Sequence, residues 1–77
     1  MIKRDELANP NSCLNRAADN EPIFVLRGKD VAIQETIRNW IRERIRLGKN
    51  KINDTQISEA FDFIGLCDLW QNQQATT

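Results

Sequence analysis

Arg38, Arg42 and Arg46 recur every four residues. On a helix that spacing stacks them in a column on one face. A guanidinium fork matches phosphate geometry bidentately, so the column offers a phosphate-binding stripe. The plainer reading is a solvated face on which Glu35 and Glu43 give partial pairing. A second group of chemistry-bearing residues lies upstream, where Asn11, Ser12, Asn15, Asp19 and Glu21 crowd small hydrogen-bonding groups around one short segment. Capping and turn formation need two or three of them. The surplus suits reading the polar edge of a planar ligand, with Phe24 or Trp40 to stack on it and Arg27, Arg38 and Arg42 for its phosphates. The expected ligand site is thus Asn11, Ser12, Asn15, Phe24, Arg27, Arg38, Trp40 and Arg42, set between protomers and holding a small anionic nucleotide.

Catalysis is not expected. The chain has no His, and nucleophilic chemistry needs Ser, Cys or Thr beside a base. Its acids are scattered at helix ends and polar faces and do not pair for acid–base work. Gly28, Gly48 and Gly65 are single and form no phosphate loop. Cys13 and Cys67 lie far apart without a CxxC, which argues against zinc. They are expected to be buried or half-buried thiols, and no cofactor or metal is anticipated.

At 77 residues and 8.9 kDa, with 40% hydrophobic and 29% charged residues, the chain suits one small globular domain. Eleven basic and eleven acidic residues cancel, which speaks against a duplex-coating protein. Their distribution is uneven, however. Arg27 to Lys51 holds eight positive and three negative residues, and the flanks hold three and eight. Such polarity suits an anionic ligand at the middle, or self-association of acidic ends with a basic middle. No apolar run is long enough to span a membrane. The charged start predicts no signal peptide and hence a cytosolic protein.

These residues must be positioned by few elements. Residues 1–8 read as a flexible charged lead-in, and Asn11-Ser12 caps a short helix through Leu14, Arg16, Ala17 and Ala18, closed by Asp19-Asn20-Glu21-Pro22. Ile23-Phe24-Val25-Leu26 has the length of a buried strand, or of one helical turn started by Pro22. A lone strand leaves its own N–H and C=O groups unsatisfied, so pairing with a second copy is implied. Ile33, Ile37, Trp40, Ile41 and Ile45 form the core stripe of a helix from Val31 to Leu47, capped by Asp30 and stopped by Gly48. Asp54 or Thr55 opens a last helix whose apolar positions cover more than one face. Phe61 and Ile64 are expected in the fold itself, and Phe63, Leu66 and Trp70 at an oligomer interface. Gly65 suggests close approach of another backbone, and residues 71–77 should fray. The expected fold is mainly α, one domain over residues 1–77: two longer amphipathic helices, a short N-terminal helix, and one short apolar strand or turn, completed by homo-oligomerisation.

The run from Asn9 to Arg27, Asn-Pro-Asn-Ser-Cys-Leu-Asn-Arg-Ala-Ala-Asp-Asn-Glu-Pro-Ile-Phe-Val-Leu-Arg, resembles a family of small bacteriophage and prophage proteins. That family carries an NPNS…N-[KR]-A-x-[DN]-x-E-P-x-F-x-L-R signature, followed by an Asp and a helix of the type I-R-x-W. The likeness extends from Asn9 to Leu47. The chain departs from the pattern after Gly28, where the family more often has Ala, and its tail is its own. The resemblance implies a phage origin, and so the cytoplasm of an infected bacterium. By analogy of class, it suggests an oligomeric anti-defence protein that sequesters a cyclic oligonucleotide or cyclic ADP-ribose signal. Two alternatives stand beside it: an inhibitor or adaptor of a host defence enzyme, such as an anti-CRISPR, and a small nucleic-acid-binding regulator, the least favoured.

Overall fold

The computed structural model describes residues 1–75. It is helical, with α1 at Lys3–Ala8, α2 at Cys13–Arg16, α3 at Ile33–Arg46 and α4 at Thr55–Ala75. Among the described residues there is no strand.

The start of α3 follows from Asp30, whose carboxylate accepts from the Ala32 N–H at 2.9 Å while its carbonyl accepts from the Ile33 N–H at 3.0 Å. Its end follows from Gly48, which takes φ 73°. That left-handed conformation suits a residue without Cβ and lets the chain fold back on the last carbonyls of the helix. The Lys49 N–H accordingly donates to the Arg44 carbonyl at 2.9 Å. Asn50 then joins the two long helices: its Oδ1 accepts from Arg44 Nε at 2.6 Å, and its Nδ2 donates to Asp54 Oδ2 and Gln56 Oε1 at 3.1 Å each. The Asp54 carbonyl accepts from Ile57 and Ser58 at the start of α4, and its carboxylate turns back to the Lys51 N–H at 2.8 Å. That backbone donor, aided by Asn50, holds the Asp54 carboxyl below the usual aspartate range.

The core lies between α3 and α4. Ile41, Ile57, Ala60 and Ile64 cluster with Ile37 against them, and Ile33 and Cys67 are buried beside the cluster. Of the expected α3 stripe, Trp40 and Ile45 lie at the edge of the core, 38% and 36% exposed. The end of α4 is fastened to the start of α3 by an amide pair. Gln34 and Gln71 donate to each other at 2.7 and 3.3 Å, and Gln71 Nε2 also reaches the Gly28 and Asp30 carbonyls at 2.9 and 3.1 Å.

The N-terminal helices form a separate pair: α1 packs on α2, α3 packs on α4, and neither helix of one pair packs on the other. Ser12 is the buried residue of the first pair. Its hydroxyl donates to the Glu6 carbonyl at 2.6 Å and accepts from the Asn15 N–H at 3.2 Å, so it caps α2 and fastens α1 at once.

Six expectations are corrected. Residues 3–8 form a helix in place of an irregular lead-in. Residues 23–26 form neither strand nor helical turn, because no described residue supplies a ladder partner. The frayed tail is helical through Ala75, with Gln71 fastened; the last two residues of that expectation lie outside the described residues. Gly65 faces open space, with no neighbouring backbone. Phe61 is half exposed, and Cys13 is exposed while Cys67 is buried.

This small core leaves much apolar surface. Among the described residues sixteen large apolar side chains are exposed. The accessible surface is 6391 Å², against about 4,800 Å² for a compact monomer of this mass. The radius of gyration is 13.7 Å, against about 11.5 Å for a compact domain of this length.

Candidate functional site

The residues expected to read a base edge are already engaged within the chain. Asn15 Nδ2 lies 2.9 Å from the Glu6 carbonyl, 3.2 Å from that of Leu7 and 2.9 Å from that of Asn9. Those carbonyls end α1 and need donors, which a short side-chain amide supplies from below. The Asn9 side chain accepts from the Asn11 N–H, and Glu21 Oε1 accepts from the Ala18 N–H. The polar signature therefore builds the α1–α2 corner, and it uses more of the run than ordinary capping requires. Of the expected readers, Ser12 and Asn15 have their donors committed, and Asn11 is exposed.

The arginine column does lie along one exposed side of α3, and it is paired. Arg38 Nη1 meets Glu35 at 2.9 Å, Arg42 approaches the same carboxylate at 3.9 Å, and Arg46 meets Glu43 at 2.7 Å. The Glu43 carboxylate raises the Arg46 pKa further above its ordinary value. Arg44 sits over the Trp40 ring, 5.6 Å from its centroid, which occupies one stacking face. Exposed pairs of this kind contribute little to stability. The column is thus a solvated face on which two carboxylates partly pair three arginines.

Phe24 and Arg27 stand apart on the segment that joins the two helix pairs. Phe24 is 85% exposed. The side chains of Arg27 and Lys29 make no ion pair or hydrogen bond among the described residues. With Val25, Leu26 and Asp30 they border a shallow open depression. The structure does not gather the eight expected ligand residues: Asn11, Ser12 and Asn15 belong to the α1–α2 corner, Arg38, Trp40 and Arg42 to α3, and Phe24 and Arg27 to the linking segment.

The strongest surface feature is the side of α4 turned away from α3. Two helical rows run along it, Phe61–Gly65–Leu69 and Asp62–Leu66–Trp70, each at the four-residue spacing that aligns side chains on a helix. Phe61, Leu66, Leu69 and Trp70 are each at least half exposed. Phe63, the remaining expected interface residue, is only partly exposed and borders a shallow depression with Met1, Glu59, Asp62 and Leu66. Phe61 and Leu69 belong to this face but were not singled out as contact residues from the sequence. Their signal was the over-wide apolar arc of the last helix. The α4 helix carries Glu59, Asp62 and Asp68 and no Lys or Arg, so the face is apolar with an acidic border.

Among the described residues no group of three or more His, Cys, Asp or Glu is placed to hold a metal ion. Nor is any helix there long and apolar enough to cross a membrane. The sequence matches no family model, and neither a curated protein nor a solved structure matches it.

Proposed function

We propose that this chain is a non-catalytic protein-binding module, an inhibitor or adaptor that acts through the outer face of α4. The observation that carries this is the contiguous exposure of Phe61, Leu66, Leu69 and Trp70 around Gly65 on a helix already fixed by its opposite side. Aromatic and leucine anchors gathered on one rigid helix face suit helix-in-groove recognition. A mid-helix glycine costs about 1 kcal/mol relative to alanine, and within this chain no close contact offsets it. A partner lying over Gly65 would. The acidic border selects a partner with basic groups around an apolar groove. The phage resemblance makes a protein of the infected bacterium, in its cytoplasm, the natural target.

The test uses a photo-crosslinking residue at Leu69, at Phe61 or, on the arginine face, at Arg42, in a bacterial host. One host protein should be captured from Leu69 and Phe61 but not from Arg42. The purified pair should then bind at micromolar concentration, and Leu69→Asp should weaken it at least tenfold with the helix content retained. Equal capture from both faces, or unchanged binding by the variant, would overturn the proposal.

The nucleotide-sequestering reading draws on a different observation: Phe24 stands exposed near Arg27 and Lys29, two cations without partners among the described residues. A melting-temperature rise with cyclic dinucleotides, cyclic trinucleotides or cyclic ADP-ribose, abolished by Arg27→Ala, would support it. No shift with any of them would end it.

A further inference from the structure

The segment from Glu21 to Arg27 runs without turn, bend or helix between the two helix pairs. The backbone N–H groups of Ile23, Phe24, Val25, Leu26 and Arg27 meet no acceptor among the described residues. Ile23, Phe24 and Val25 are exposed, at 56%, 85% and 71%. β-branched and aromatic residues in a straight stretch of unpaired backbone are the makings of a strand that lacks a neighbour.

We propose that this segment pairs with the same segment of a second copy as a two-stranded antiparallel ribbon, with Phe24 opposite Phe24 across a two-fold axis. The proposal goes beyond the protein-binding reading and does not depend on it. Two features of the sequence select this partner and this register. First, antiparallel pairing centred on Phe24 sets Glu21 of each copy opposite Arg27 of the other, so both ends close with opposite charges. Parallel pairing would instead set Glu21 by Glu21 and Arg27 by Arg27. Among the described residues Arg27 has no ion-pair or hydrogen-bond partner for its side chain, and one Glu21 carboxylate oxygen is engaged, by the Ala18 N–H.

Second, the register suits Pro22. Antiparallel pairs alternate between hydrogen-bonded and non-hydrogen-bonded. If the Phe24 pair is non-hydrogen-bonded, Ile23 and the partner's Val25 exchange ladder bonds, and Pro22 falls opposite the partner's Leu26 at a non-hydrogen-bonded position. There the missing N–H of proline costs no ladder bond. A slip by one residue would bring Pro22 into the ladder and part Glu21 from Arg27. The non-hydrogen-bonded site also brings the two Phe24 side chains closest together, the arrangement that favours an aromatic cross-strand pair. An isologous contact of this kind closes after two copies. The ribbon uses residues 21–27 alone, none of which belongs to α4.

The experiment is disulfide trapping in a Cys13→Ser background, which removes the exposed native thiol. Opposed Cα atoms at a non-hydrogen-bonded site are about 4.5 Å apart, within disulfide reach. Phe24→Cys should form a covalent dimer under mild oxidation at least tenfold faster than Ile23→Cys or Val25→Cys alone, while an equal mixture of the last two should cross-link to each other. In the unmodified background, Glu21→Arg and Arg27→Glu should each weaken association at least tenfold in sedimentation velocity, and mixing the two variants should restore it. Restoration separates a lost charge pair from a damaged fold. A monomer at micromolar concentration, or equal trapping at residues 23, 24 and 25, would overturn the proposal.

Discussion

Gln71→Ala tests whether the end of α4 is held as described. Gln71 bridges three parts of the chain: it exchanges hydrogen bonds with Gln34 and donates toward the Gly28 and Asp30 carbonyls. Its side chain has two N–H donors for three acceptors, so at least one contact is shared. A neutral hydrogen bond contributes a net ~0.5–1.5 kcal/mol. The site is only partly buried, and the released carbonyls can rehydrate, which puts the sum near the low end. A loss of about 1–2 kcal/mol is expected, or roughly 5–10 °C in Tm for a domain of this size. Thermal and urea unfolding at one fixed protein concentration give the measurement, with Asn72→Ala, on the exposed side of the same turn, as the control. Gln34→Ala combined with Gln71→Ala should fall short of additivity by at least 0.5 kcal/mol, since the two amides are each other's partners. If Gln71→Ala melts within a degree of the unmutated protein and of Asn72→Ala, the last turns of α4 are frayed and the bridge is not what holds residues 28–30.

Ser12→Ala removes the hydroxyl that caps α2 and binds the Glu6 carbonyl. It should cost about 1 kcal/mol and reduce order in residues 3–16 while leaving the α3–α4 amide signals in place by NMR. Ile64→Asp buries a charge in the core and should abolish cooperative melting, whereas Leu66→Asp should keep it, because Ile64 is 5% and Leu66 52% exposed. The folded-state pKa of Asp54 lies below its unfolded value. Its ionisation therefore stabilises the fold above about pH 4, and that contribution disappears as the pH falls through the folded value. Asp54→Asn should lower Tm at pH 7 and lessen the further fall in Tm between pH 4 and pH 2; an unchanged acid limb would contradict this.

The helical half of the fold was legible because it is written in periodic signals. The Ile33, Ile37 and Ile41 spacing, the Asp30 start and the Gly48 stop all specify α3 locally. The short helix after Ser12 was legible for the same reason. The Ile23–Leu26 segment was not, since a strand is defined by its neighbour and this chain supplies none. The amide bridge of Gln34 and Gln71 left no trace either: it joins residues remote in sequence, and glutamine at the end of a helix has no period to betray it. The expected ligand residues are spread over three parts of the fold, because polar residues do two jobs equally well. Ser12 and Asn15 look the same in sequence whether they face a base edge or the last carbonyls of α1. The arginine column was read correctly as one face, on which Glu35 and Glu43 form the partial pairing that the spacing allows.

The independence of the two helix pairs has a consequence for how the molecule opens. Buried apolar side chains belong to α3 and α4 alone, while α1 and α2 are held to each other by a few hydrogen bonds around Ser12 and Asn15. Such a division makes two cooperative units of unequal depth. Amides of residues 3–16 should exchange with solvent through small, frequent excursions, and those around Ile41, Ile57 and Ile64 only when the whole chain unfolds. The straight segment between them belongs to neither unit, so its amides should exchange fastest in the single chain and slow down with rising protein concentration if a second copy covers them.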